Sequence, residues 1–228
     1  MLVKSVLKVV LVDVNAKVVQ AWRAAFADNP EVKIVRGSIL DQQVNAWVTP
    51  TNAKGSMDGG VDAVIKGRLG PAIEKRVQQE IGRLYAGKMA VGYATCVPTG
   101  AAVPRYLIST PTMVKSSENI SETLNVALAC AAAFQAVHMQ NAHEPGSITS
   151  VALPGLGAGT GQVPMRVCAN LMWTGYTLFN DCAFRDYNAM RAVLREQLGD
   201  VGPMPEETRY RIKVPDSGGE SSGPLTIG

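Results

Sequence analysis

Histidines, cysteine pairs and basic clusters are all scarce in this chain, and each scarcity removes a class of chemistry. The two histidines, His138 and His143, follow a helix-like run and have no metal-ligand spacing to any cysteine, so neither a zinc site nor a histidine-dependent triad is expected. Cys96, Cys130, Cys168 and Cys182 form no CxxC pair and sit among apolar neighbours, which suits buried thiols in a reducing cytoplasm. Twenty-two basic against 19 acidic residues leave a net charge of only +3, and no Lys/Arg run concentrates it. That balance argues against a nucleic-acid partner. No apolar run reaches transmembrane length, so no membrane partner is expected. The opening MLVKSVLKVVLVDVN has some of the flavour of a signal peptide. Asp13 interrupts it, however, no small-residue cleavage site follows, and its valines suit a buried strand better. The expected location is cytoplasmic.

What is present is an alternation of strand-like and helix-like stretches. Residues 6–12 read as a strand, 16–27 as an amphipathic helix capped by Asn15, and 32–39 as a second strand beyond Asn29-Pro30. A strand–helix–strand unit this short implies parallel strands. A third short strand is expected at 45–48, helices at 62–69 and 72–83, and two further strands at 93–98 and 105–109. Ser121 and Glu122 start a long alanine-rich helix, 147–153 is a buried strand, and helices follow at about 165–179 and 186–198. The pattern predicts a three-layer α/β/α sandwich with a mixed, mostly parallel central sheet, occupying residues 1–200 as one domain. Residues 201–228, rich in Pro, Gly and Ser, are expected to be a disordered tail.

Two glycine-rich loops follow strands, at the edge where α/β folds bind ligands. The first, within residues 48–62 (VTPTNAKGSMDGGVD), offers Asn52, Gly59, Gly60 and Val61 and brings Asp62 to a helix start. The second, residues 154–164 (PGLGAGTGQVP), places Gly155, Gly157, Gly159 and Gly161 at alternate positions, with Ala158 and Thr160 between them. Glycines let backbone N–H groups converge on an anion, and Thr160 adds a hydroxyl. Each loop also has a plainer reading: a tight turn for the glycines, and for Asp62 a helix-end charge favoured by the dipole, with Asp58 as a rival cap. No Lys-Ser/Thr pair follows the glycines, which disfavours nucleotide-triphosphatase chemistry. Asp13 ends the first strand like the ribose-binding acid of dinucleotide folds. Without a preceding GxGxxG turn it reads as a helix-start residue, and an oxidoreductase is disfavoured.

Taken together, these motifs resemble the macro-domain family of ADP-ribose-binding proteins and ADP-ribosyl hydrolases. Gly37-Ser38-Ile39 resembles that family's GDI segment, residues 48–52 (VTPTN) its VNAAN motif, and residues 59–62 (GGVD) its GGV-acid element. Residues 110–113 (TPTM) fit the intervening strand end, and residues 154–161 the later phosphate-wrapping loop. The resemblance spans roughly residues 32–173. It implies that Asn52 binds the distal ribose and that Asp62 orients or activates a water at the anomeric carbon. It also implies that Gly60 and Val61 cradle the diphosphate together with Gly157, Ala158, Gly159, Thr160 and Gly161, with Gly59 and Gly155 as further ligand-binding positions. Ser38 and Ile39 would lie near the adenine. No metal or cofactor is implied. The implied substrates are mono-ADP-ribosylated acidic side chains, O-acetyl-ADP-ribose or ADP-ribose 1''-phosphate; the alternative is a module that binds ADP-ribose or a related NAD-derived nucleotide without turnover. Three departures from the family pattern stand out. Its adenine-contacting acid falls at Ser38, with Asp41 a nearby substitute. The second loop lacks the bulky aliphatic-aromatic pair common there. No closing strand follows the last loop helix, so the adenine-stacking residue is unassigned and the early 6–12 strand could complete the sheet differently.

Overall fold

The valine run near the N-terminus forms the interior of a sheet. In the computed structural model, which describes residues 5–199, 209–214 and 226–227, β2 (Lys8–Asp13) is buried at four successive positions. Burial on both faces is what a parallel strand between two helical layers requires. The side chains alternate: Val9 and Leu11 enter one core, Val10 and Val12 the other. α1 (Ala16–Ala25) follows, capped by the Asn15 side chain, which accepts from Lys17 N at 3.0 Å. β3 (Lys33–Arg36), β4 (Ala46–Thr49), α2 (Gly60–Leu69) and α3 (Ala72–Tyr85) come next. β5 (Thr95–Pro98), β6 (Tyr106–Ser109), α4 (Asn125–His143), β7 (Ser150–Leu153), α5 (Met165–Asp181) and α6 (Tyr187–Leu198) complete the layers. A short antiparallel pair joins Ser5–Val6 (β1) to Thr226–Ile227 (β8).

The main sheet has the order β3-β2-β7-β4-β6-β5, with every neighbouring pair parallel except β5 with β6. This is the expected mixed, mostly parallel sandwich. The N-terminal strand takes an interior place, between β3 and β7, and so completes the sheet from the other end of the chain. The core on one face joins α1, α4, α5 and α6 to the sheet; the smaller core on the other joins α2 and α3.

Residues 126–137 of α4 are all buried, so this helix is covered on every side. Its alanines allow α5 to lie close against it. The helix starts at Asn125, four residues after the expected Ser121, because Thr123 N bonds back to the Ile120 carbonyl and closes a turn first. The expected tail falls mostly outside the described residues. Its described piece, 209–214, packs on the domain: Ile212 is buried, the Arg209 guanidinium lies 4.8 Å over the Trp173 ring, and Thr174 Oγ1 donates to the Tyr210 carbonyl at 2.7 Å.

Close packing of α5 on α4 rests on Gly175. A Cβ there would lie 2.8 Å from Cys130 Cβ, 2.9 Å from Ala131 N and 3.0 Å from the Ala127 carbonyl oxygen. Gly175→Ala should therefore lower stability by about 1–3 kcal/mol of overpacking, less up to about 1 kcal/mol regained in helix propensity. Thermal unfolding should show a fall in Tm. An unchanged or raised Tm would mean that the two helices separate freely.

Candidate functional site

Because β3, β2, β7 and β4 run parallel, the loops leaving their carboxyl ends emerge side by side. Between them lies a cleft of about 740 Å³. The structure brings every site residue expected from the sequence to this one cleft. Ser38 and Ile39 follow β3, and Asn52 and the Gly59–Asp62 stretch follow β4. Gly155, Gly157, Ala158, Gly159, Thr160 and Gly161 follow β7.

The loop after β4 is braced from beneath. Met57 is fully buried, and its N–H donates to Glu74 Oε1 at 2.7 Å. Lys66 Nζ ties Glu74 to Asp58 with contacts of 3.0 and 2.9 Å. Asp58 thus pairs with a lysine and does not cap α2; the cap position is Gly59, with no side-chain bond. The helix begins at Gly60, two residues before the expected start, and Gly60 sits at φ +54°, a conformation that favours glycine. Asn52 holds the loop's other half. Its Oδ1 accepts from Lys54 N and Ser56 N at 3.0 and 3.2 Å, and its Nδ2 donates to Ser116 Oγ at 2.8 Å across the cleft wall.

The glycines of the second loop divide by cause. A Cβ on Gly157 would meet Val126 Cγ2 at 2.9 Å, and one on Gly161 would meet the Gly157 carbonyl oxygen at 2.7 Å. Packing alone requires those two. Gly159 differs, since a Cβ there would meet nothing within 4 Å and its φ is not positive. Gly59 in the first loop is likewise open. What these two positions leave is bare backbone on the cleft wall, available for close approach by a ligand. The N-terminal turn of α2 faces the cleft, whereas the first residues of α5 do not line it. Among the described residues, no Lys, Arg or His lines the cleft. An anion bound here would be met by backbone N–H groups, hydroxyls and the N-terminal ends of α1 and α2, both of which line the cleft.

Asp62, in the first turn of α2, receives a hydrogen bond from Thr49 Oγ1 at the end of β4. Burial pushes its pKa up to about 6, and the nearby charges of Asp58 and Glu74 push the same way against the Thr49 bond. A carboxyl poised near neutrality in a cleft can exchange a proton with a bound water. None of the four cysteines lines the cleft, and burial pushes Cys96 and Cys168 up to about 12 and raises Cys130 as well. Among the described residues, no group of three or more His, Cys, Asp or Glu could hold a metal. No helix among them is long and apolar enough to cross a membrane.

Two acids differ from their sequence reading. Asp41 is exposed and does not line the cleft. Asp13 does line it, and besides accepting from Asn15 N at 2.8 Å, as a helix-start residue should, it accepts from Gly155 N at 3.1 Å. The signal for this was its place at the carboxyl end of a strand. Ser116 and Ser117, also in the wall, lie in a polar connection that carried no motif.

The family model for the Macro domain matches residues 48–172. An uncharacterized protein of Aquifex aeolicus is 32% identical over 142 residues, 62% of this chain and 78% of that one. Among solved structures, the macrodomain of Thermus aquaticus DarG is similar with a TM-score of 0.50 and 26% identity, covering 62% of this chain and 87% of that one. Thermosipho africanus DarTG in complex with ADP-ribose is similar in fold, with a TM-score of 0.51 and 15% identity, covering 72% of this chain and 48% of that one.

The raised pKa of Asp62 predicts a pH-dependent effect on stability. Its carboxyl binds a proton more tightly in the fold than in the unfolded chain, where its pKa is near 3.8. Stability is therefore lost as pH rises from about 4 through about 6, and above that the buried charge costs at most on the order of 2–3 kcal/mol. Asp62→Asn keeps an acceptor for Thr49 without the charge. Its Tm should exceed that of wild type above pH 6 by several degrees, with the gap closing below pH 4. A gap independent of pH would remove the buried charge as its cause.

Proposed function

The chain belongs to the macro domain family, and from that premise we propose that its cleft binds ADP-ribose and hydrolyses an ADP-ribose derivative. The observation that carries the hydrolytic half is Asp62: a carboxyl with its pKa raised to about 6, at the mouth of α2, bonded by Thr49 and in the same cleft as Asn52. Asn52 binds the distal ribose, while Gly59, Gly60 and Val61 face the second loop across the diphosphate. For an ester-linked ADP-ribosyl group, Asp62 takes a proton from water as the water oxygen bonds the anomeric carbon. The carbon–oxygen bond to the acyl group breaks, and the acid leaves as its carboxylate. Positioning and the fixed N–H dipoles supply the rest of the rate. O-acetyl-ADP-ribose and ADP-ribose 1''-phosphate are the further candidate substrates.

A second reading, a module that binds ADP-ribose without turnover, draws on Asn52. All three of its side-chain hydrogen bonds described above go to its own loop and to Ser116. That makes Asn52 a frame for the loop as much as a grip on a substrate.

Calorimetry with ADP-ribose, using AMP and NAD as controls, comes first, followed by turnover of a mono-ADP-ribosylated acidic peptide. Micromolar ADP-ribose binding with much weaker AMP and NAD is expected. kcat/KM should fall about tenfold per pH unit below pH 6, and Asp62→Asn should bind the product yet lose turnover. Binding without turnover of any of the three substrates would leave the module reading in place. Undiminished turnover by Asp62→Asn would remove Asp62 from the mechanism. In the second loop, Gly159→Val should weaken ADP-ribose binding tenfold or more at an unchanged Tm. A fall in Tm alone would return Gly159 to a packing role.

A further inference from the structure

Asp13 is a charged group that lines the cleft at the end of β2, and the hydrolytic chemistry gives it no role. In the sheet, β2 is separated from β4 by β7 alone, so Asp13 and Thr49, each the last residue of its strand, stand about 10 Å apart. The glycine loop leaves β7 between them. A nucleoside diphosphate-ribose with its distal ribose at Asp62 and its diphosphate along that loop therefore carries its base to the ends of β2 and β3. That step rests on the reading of the cleft as an ADP-ribose site.

Three acceptors could meet the base there, and the structure separates them. The Ser38 hydroxyl accepts from Leu40 N at 3.1 Å, which leaves it a single lone pair and no charge to offer. Asp41 is exposed and outside the cleft. Asp13 lines the cleft beside Val18 and Ala158: a Cβ on Gly155 would lie 2.8, 3.2 and 3.7 Å from the nearest atoms of Asp13, Val18 and Ala158. Of about four lone-pair sites on a carboxylate, the Asn15 and Gly155 N–H groups use two. The Asp13 backbone is also fixed, because its carbonyl accepts from Gly37 N at 3.0 Å. The group is thus a tethered carboxylate in the same wall as the apolar side chains of Val18 and Ile39, and among the described residues no basic side chain lines the cleft. Its complement is a flat ring bearing an N–H donor.

We infer that Asp13 is the specificity-determining residue for the base, accepting from the exocyclic amine of adenine and rejecting a ring that carries a carbonyl at the same position. A site built around an acceptor discriminates against an analogue that places another acceptor opposite it, since two lone-pair groups are then left facing each other.

The test compares ADP-ribose with its inosine counterpart, in which hypoxanthine presents a carbonyl in place of the amine. Calorimetry on the full chain gives both affinities for wild type and for Asp13→Asn, whose amide can donate to that carbonyl. Wild type should prefer the adenine ligand at least tenfold, and in Asp13→Asn the preference should collapse or invert. The ratio is the decisive readout. Loss of the Gly155 tether would weaken both ligands together and leave the ratio in place. Equal binding of the two ligands by wild type, or a ratio unchanged in Asp13→Asn, overturns the assignment, and the wild-type ratio decides even where the variant does not fold. Wild type that binds neither ligand overturns the ADP-ribose reading along with it; wild type that binds both equally overturns the role of Asp13 alone.

Discussion

The parallel register of four strands is the constraint on which the site depends. β3, β2, β7 and β4 each end at the same edge of the sheet, so the loops that leave them share one volume of space. Parallel pairing needs crossover helices on both faces, and those helices bury β4 and most of β2 and β7. The burial that stabilises the sheet is therefore also what gathers Ser38, Asp13, Gly155, Asn52 and Asp62 along one cleft. An antiparallel arrangement of the same segments would send half of these loops to the opposite edge.

Within that frame, two kinds of support hold the loops in shape. The first loop is held by polar contacts: Glu74 on the Met57 N–H, Lys66 between Glu74 and Asp58, and Asn52 bonded across to Ser116. Much of the second is held by sterics, through glycines whose missing Cβ atoms let Ile120 and Val126 press against the turn. The difference matters for function. Asp58 and Glu74, besides bracing the loop, help hold the Asp62 proton, so the brace and the tuning of the acid are one arrangement. The second loop adds no charge, and a bound diphosphate would be met there by backbone and hydroxyl dipoles.

Much of this was legible in the sequence, because it is encoded locally. The order and type of the layered elements followed from period-2 and period-3.6 patterns, and departures were confined to boundaries such as the late start of α4 and the early start of α2. The glycine loops and Asp62 announced themselves by residue type next to a strand end or a helix start. Asp13 was visible as a strand-terminal acid, but its bond to Gly155 joins residues 142 apart in the chain, and no local pattern carries that pairing. Asp41, close to Ser38 in sequence, pointed the wrong way for the same reason: nearness along the chain is not nearness in the cleft.

By itself, then, the sequence determined the layered α/β class, the two loops and the residue types able to bind an anion and move a proton. Those are properties of short segments, set by side-chain periodicity and glycine's conformational range. Only the tertiary structure decided that the N-terminal strand lies inside the sheet between β3 and β7. It also decided that the Lys66–Asp58–Glu74 brace sits beside Asp62, and that Asp13 faces the cleft. Strand order and the burial of a charge are sums over contacts between distant parts of the chain. They take definite values only once the two cores have closed around the sheet.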